Sequence, residues 1–386
     1  MIHKSLLVLL TTVAIAMPLP VMAAEDALRL VSIDVDGGAS NLFITPHGKS
    51  ILVDTGNPDR GDHPNSETLE KAIKGAGVTR LDYMILTHYH VDHIGGMEGL
   101  LKRIPVDTFI DHGENREVPG TQGPGGMIGA DWRAVGPDGK PRPGRDGQVA
   151  PPPTEIPPPN STAGYYANYL KLIAGHPHRV VKPGETLEVD GVTLTFVAAD
   201  GVMIAKPLPG AGEKNPACAN MPGMESNGGE ENTRSTSMVI SYGKTKIALF
   251  GDLTWDREKD LFCPIDRVGK VDVYIVSHHG TQWSGSPAML NSLQPIVALM
   301  GDGVTKGDDP ERVKTIEASG RLQGLWRLHA GRGKESIDGD PNMIANNSLD
   351  LAEDTRASLK VSVRPNGEIT VTNERNGFSK TYTAGK

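Results

Sequence analysis

Of the 386 residues, the seven at Thr87-His-Tyr-His-Val-Asp-His93 constrain the fold most. They follow Asp82-Tyr-Met-Ile-Leu, a short apolar run that reads as a buried strand. Three imidazoles and a carboxylate therefore emerge from the core at one strand end. Both groups ligate zinc and similar divalent ions. A helix would send residues two apart to different faces. A loop at a strand end can instead turn His88 and His90 toward one ion and Asp92 and His93 toward a second. A single histidine is ordinarily a hydrogen-bonded core group, but core packing explains four ligand-type residues at this density poorly.

Two further ligand-type positions end apolar runs in the same way. Leu249-Phe-Gly-Asp252 presents a carboxylate, which can bridge two ions, and Val276-Ser-His278-His279-Gly280 presents two imidazoles. His278, the first ring past the strand, is expected to be the ligand. His279 is then the neighbour that orients it, touches substrate or protonates a leaving group. Thr281, Gln282, Trp283 and Ser284 follow as pocket candidates, and Ser286 reads as the cap of a helix that Pro287 begins.

Around these sites the chain alternates between strand-like and helix-like patterns. Strands are expected at 28–35, 41–45, 50–54, 82–87, 107–111, 186–189, 192–198, 237–242, 246–250 and 271–277. Helices are expected at 66–75, after Gly95-Gly96, and at 165–174. Pro365-Asn-Gly between two alternating runs marks a C-terminal hairpin. The rhythm is that of a layered α/β domain. It breaks at 113–160, a Gly/Pro-rich insertion expected at the surface, and again at 201–230. With no internal repeat and no sharp linker, residues 24–386 read as one domain, with 306–386 completing it.

Residues 1–23 read as a signal peptide: a short positive start, an apolar run from Leu6 to Ala16, then small residues before Ala24. The expected location is periplasmic or secreted, with no membrane span after cleavage. In such a compartment Cys218 and Cys263 are expected to pair. A net charge of -8 gives no diffuse attraction for nucleic acid or anionic lipid, so a small-molecule substrate is favoured over a nucleic acid. The sequence is silent on oligomeric state.

The motif His88-x-His90-x-Asp92-His93 followed by Gly95-Gly96 resembles the signature of the metallo-β-lactamase superfamily. The resemblance implies a four-layer αββα sandwich with long loop insertions, holding two divalent ions, zinc or manganese. Asp54, in Ile51-Leu-Val-Asp-Thr-Gly, matches the family's early aspartate, which supports the metal loop. Asp252 matches its bridging aspartate. The His-His-Gly element at 278–280 is similar to that of the competence-related, ComEC-like branch.

One departure concerns the first ion. Many members carry a histidine between the first cluster and the bridging aspartate, whereas the corresponding stretch here holds Asn232 and Ser235. The first ion's shell is then completed by Asn232 or water; His176 and His178 would have to reach far to substitute. The implied chemistry is hydrolysis by a hydroxide shared between the ions, with Asp92 holding the second ion and hydrogen-bonding that hydroxide. The ComEC-like features favour a phosphodiester or phosphorylated small molecule. The alternatives are hydrolysis of a lactam, lactone or ester on the same fold, and a metal-binding protein without turnover.

Overall fold

The computed structural model describes residues 26–61, 64–117, 159–221, 229–330, 339–347 and 355–385. The expected signal peptide and the bulk of the 113–160 insertion lie outside these residues.

In chain order the strands are β1 (Leu28–Ser32), β2 (Asn41–Ile44), β3 (Ser50–Val53), β4 (Leu81–Ile85), β5 (Val106–Asp111), β6 (His178–Val180), β7 (Thr186–Val189), β8 (Val192–Ala199) and β9 (Val202–Met203). They continue with β10 (Ser237–Tyr242), β11 (Thr245–Leu249), β12 (Val273–Ile275), β13 (Val297–Met300), β14 (Gly324–His329), β15 (Ile344–Asn346), β16 (Leu359–Val363), β17 (Glu368–Asn373) and β18 (Ser379–Thr383). The helices are α1 (Asn65–Gly75), α2 (Val91–Ile94), α3 (Met97–Leu101), α4 (Thr162–Leu172), α5 (Gly229–Asn232), α6 (Trp255–Phe262), α7 (Pro287–Leu293) and α8 (Pro310–Glu317).

Two sheets form. One runs β18-β17-β16-β1-β2-β3-β4-β5-β6. The other runs β15-β14-β13-β12-β11-β10-β8-β7, with β9 beside β8. Three apolar clusters explain the layering. Phe43, Val53, Ile85, Phe196, Leu249 and Trp326 are among the side chains packed between the sheets. Leu69, Ile73, Leu100 and Tyr169 join the outer face of the first sheet to α1, α3 and α4. Leu261, Met289, Leu293 and Val313 join the outer face of the second to α6, α7 and α8. The result is helix, sheet, sheet, helix. Because both faces of the central strands are covered, β3, β12 and β13 are apolar or small and buried throughout. Each large core side chain contributes roughly 1.5–3 kcal/mol. Trp326, fully buried, donates its indole N–H to Tyr382 at 2.9 Å and leaves no orphaned donor.

Cys218 and Cys263 form the expected disulfide, tying the turn at Pro216–Asn220 to the end of α6. Closing that 45-residue separation is worth about 4 kcal/mol in chain entropy. The C-terminal segment serves both sheets: β14 and β15 extend the second, while β16–β18 extend the first through β1. Two elements differ from expectation. His178 lies in edge strand β6, for which no strand is expected from the sequence. The strand at 271–277 is only β12, because the chain turns sharply as soon as it reaches Ser277.

Candidate metal centre

Parallel pairing decides where the functional side chains meet. β3–β4–β5 run parallel in the first sheet and β11–β12–β13–β14 in the second, so their carboxyl ends gather at one edge of the sandwich. Ligand sites in open α/β sheets lie at such carboxyl ends. Asp54 follows β3, the Thr87–His93 loop follows β4, Asp252 follows β11, and His278 and His279 follow β12. Two glycines allow the close approach. A Cβ on Gly96 would stand 2.2 Å from the Thr55 carbonyl oxygen. One on Gly251, whose φ is +58°, would stand 2.9 Å from Thr87 Cβ.

Asp92, His93, Asp252 and His279 form one compact group, with one donor atom from each lying within 4.8 Å of all the others. His93 Nε2 is 3.2 Å from Asp252 Oδ1 and 3.5 Å from Asp92 Oδ2, and His279 Nε2 is 3.1 Å from Asp92 Oδ2. A tetrahedral ion with ligands at zinc–nitrogen distances separates its donors by about 3.4 Å. The group has that size. His93 Nε2 is also fully buried without a hydrogen-bond partner.

The outward nitrogens explain how the rings are held. His93 Nδ1 donates to Asp54 Oδ2 at 2.8 Å, and His279 Nδ1 donates to the Gly301 carbonyl at 3.0 Å. Asp54 also accepts from the Thr87 amide at 2.8 Å and the Thr87 hydroxyl at 2.7 Å. With its proton given to Asp54, Thr87 Oγ1 accepts from His88 Nδ1 at 3.1 Å. His90 Nε2 donates to Glu117 Oε1 at 3.0 Å. Each of these four rings spends its protonated nitrogen on an outer acceptor and turns its other nitrogen inward, the arrangement of a metal-ligating histidine. His88 Nε2 and His90 Nδ1 face each other at 3.1 Å, a contact that a proton on His90 satisfies and that a bound cation could take over. The compact group thus fits a divalent ion, and His88 and His90 stand beside it, with His88 Nε2 4.0 Å from Asp252 Oδ2.

The electrostatics follow from burial and crowding. Burial pushes the His88 pKa down, the neighbouring His93 and His90 charges add to it, and it falls well below the usual value. Burial also lowers His278, to about 4, against the pull of Asp252. For His93 the burial penalty is outweighed by Asp252, Asp92 and Asp54, so its pKa rises well above normal; for His90, Glu117 does the same and brings it to about 9. Burial would raise Asp92 and Asp252. Lys306 and the histidines overcome it for Asp92, the histidines for Asp252, and both stay well below the usual carboxylate range. The carboxylates therefore remain ionised and demand positive charge, which the ammonium of Lys306, hydrogen-bonded to Asp92 Oδ2, supplies in part.

The other residues singled out in the sequence make the following contacts. Ser235 Oγ accepts from the Asp252 amide at 3.1 Å. Asn232 is buried, and its Oδ1 has no hydrogen-bond partner. Ser286 caps α7, accepting from the Met289 amide. His178 pairs with Asp111 at 2.7 Å and His176 packs on Phe109, so their contacts lie at the β5–β6 edge. Of the adjacent pair, His279, expected to orient the ligand, touch substrate or protonate a leaving group, is the ring in the compact group: its Nδ1 is held by a carbonyl and its Nε2 faces Asp92. Left-handed backbone at both residues, φ +53° and +57°, makes sequence proximity to the strand a poor guide to which ring points where.

Sequence reasoning missed Glu117, Glu231, His112 and Lys306. Glu117 opens the insertion read as surface, yet it is buried on His90 and also accepts from the Glu231 amide at 2.9 Å. Glu231 in turn accepts from His112 at 3.1 Å. Isolated acids outside any motif gave no signal; the one available hint was Glu231 beside Asn232.

Residues 34–192 match the family model of the metallo-beta-lactamase superfamily. Recombination protein 2 of Haemophilus influenzae is 23% identical over 285 residues, 72% of this chain and 25% of that protein. A hydroxyacylglutathione hydrolase of Brucella anthropi is 36% identical over 59 residues, 15% of this chain and 22% of that enzyme. The chain thus spans about a quarter of the length of the relatives it matches. Among solved structures, the metallo-beta-lactamase fold protein YhfI of Bacillus subtilis aligns with a TM-score of 0.42 at 13% identity, covering 78% of this chain and 96% of that one.

Proposed function

We propose, from the match of residues 34–192 to the metallo-beta-lactamase superfamily, that this chain is a two-metal hydrolase acting on a phosphodiester or phosphorylated small molecule. The observation that carries the reading is the set of imidazole nitrogens turned inward among ionised carboxylates around Asp252, each outward nitrogen already committed to an acceptor. Divalent ions bound there would supply an activated water at neutral pH and a Lewis acid for the attacked oxygen. Asp92, His93, Asp252 and His279 would hold one ion, and His88 and His90, beside Asp252, would hold a second. Asp54 and Glu117 fix the tautomers of His93 and His90 from outside.

Preference for an anionic substrate rests on a cavity of about 280 Å³ linked to the centre through Lys306, which lines it and also bonds Asp92. Among the described residues, Arg60, Lys306 and Arg356 line it against a single carboxylate, Asp36. A cation taking up the charge of Asp92 frees the Lys306 ammonium for a substrate phosphoryl oxygen, or to protonate the leaving group. No nucleophilic side chain is required. The disulfide favours an oxidising compartment, periplasmic or extracellular. Among the described residues no helix is long and apolar enough to cross a membrane.

The second reading is hydrolysis of a lactam, lactone or ester. The 59-residue match to a relative named hydroxyacylglutathione hydrolase favours it. Assay of metal-loaded protein on bis-p-nitrophenyl phosphate, a β-lactam reporter and an acyl lactone separates the two. Fastest turnover of the phosphodiester is expected. Turnover of only the lactam or lactone overturns the phosphodiester reading, and inactivity on all three with two ions bound leaves a metal-binding protein without turnover.

A further inference from the structure

We propose that His278 supplies the third side-chain nitrogen of the first ion, the position that Asn232 and Ser235 leave without a histidine, so that the adjacent pair His278–His279 divides between the two ions. The inference rests on the two-metal reading above.

The hydrogen bonds fix the protons on the His278 ring. Ser284 Oγ lies 2.7 Å from the Leu253 carbonyl oxygen, which can only accept, so the serine hydroxyl donates there. The same Oγ is 3.2 Å from His278 Nδ1 and must accept from it. His278 Nε2 is then a bare lone pair, and it faces Asp252 Oδ2 at 3.4 Å, a contact without a proton to share. His88 Nε2, also a lone pair, approaches the same carboxylate oxygen at 4.0 Å, and His90 Nδ1 stands 3.1 Å from His88 Nε2. The His278–Asp252 and His88–His90 separations are close to the donor spacing of about 3.4 Å around a tetrahedral ion, with His88 somewhat farther from Asp252. His93, by contrast, approaches the other oxygen of Asp252 at 3.2 Å.

The backbone supports a built arrangement. His278, His279 and Gly280 take successive left-handed conformations, φ +53°, +57° and +79°. Non-glycine residues enter that region at a cost of about 1–3 kcal/mol each, and keep it where the surroundings over-determine it, chiefly at functional sites. Here Ser284 holds one ring and Gly301 the other. Both side chains reach Asp252, at 3.4 Å and 3.8 Å, which consecutive residues of an extended strand could not do.

The test uses the full chain, stripped with a chelator and titrated with Co(II), with bound metal counted by elemental analysis after gel filtration. Wild type is expected to hold two equivalents; fewer defeats the two-metal reading itself. His278→Ala is expected to hold one equivalent while keeping the Co(II) absorption of the remaining site, and two equivalents at wild-type affinity overturn the assignment. Should His278→Ala fail to fold, His278→Cys gives a second readout. A thiolate-to-cobalt charge-transfer band places the side chain on the ion, and a folded, two-equivalent protein without that band refutes it.

Discussion

The two sides of the candidate centre are built differently. The Asp92, His93, Asp252 and His279 group is compact and buried, and its rings are pinned by Asp54 and by a backbone carbonyl of the second sheet. The His88 and His90 side depends on Glu117, an acid from the start of a long insertion, and lacks the histidine its motif leads one to expect. One side is therefore held by residues that directly follow core strands; the other depends on the long insertion and, on our proposal, on His278. If two ions bind as proposed, the contrast teaches that one is set by the framework and the other by local contacts, so the two should differ in affinity.

The largest effect is expected at the residue both sides share. Asp252→Asn should release both ions and lower kcat/KM on the best substrate by about a thousandfold or more, since each ion contributes several kcal/mol to the transition state. Metal content and turnover check this together; a variant with two ions and full rate would break the view of Asp252 as the joint. Next come the outer acceptors, which separate the sides. Asp54→Asn should weaken the ion at His93 and Glu117→Gln the ion at His90, each by about 10–100-fold in a two-phase titration. If both variants weakened the same phase, the division would be wrong.

A smaller effect concerns substrate charge. Lys306→Met should raise KM for bis-p-nitrophenyl phosphate about tenfold, the worth of one hydrogen bond to a charged group, and leave a neutral ester unaffected. Equal effects on both would remove the argument from the cationic cavity. The least effect is on stability. Glu258 accepts from the Gly285 and Ser286 amides at 2.7 Å and so steadies the segment that carries Ser284. Burial drives its pKa up to about 7 despite those bonds. An unfolded glutamate titrates near about 4.3, so between the two values the folded state keeps a proton that the unfolded chain has lost. Stability is then full below the unfolded pKa and falls as pH rises through 7. Denaturant melts of Glu258→Gln at several pH values should lose most of that pH dependence, up to about 3–4 kcal/mol between pH 4 and 7; an unchanged pH dependence would clear Glu258 of the role.

What the sequence made legible follows the same divide. The dense His88–His93 motif and the residues that end apolar runs, Asp54, Asp252, His278 and His279, announce themselves because strand, turn and ligand adjoin in the chain. The layered α/β fold was readable from the same alternation. Short buried strands such as β13 and β14 went unnoticed, since a brief run covered on both faces has no periodicity to detect. Glu117 and Lys306 were illegible for another reason. They meet His90 and Asp92 only through tertiary contacts spanning 27 and 214 residues. Which of two adjacent histidines faces which ion depends on left-handed backbone that no residue type announced, since neither is glycine or asparagine.

The most direct test is anomalous diffraction from crystals of the zinc- or manganese-loaded protein. The account predicts two peaks flanking Asp252, one against His88 and His90, the other against Asp92, His93 and His279. A single peak, or metal bound away from Asp252, would contradict it.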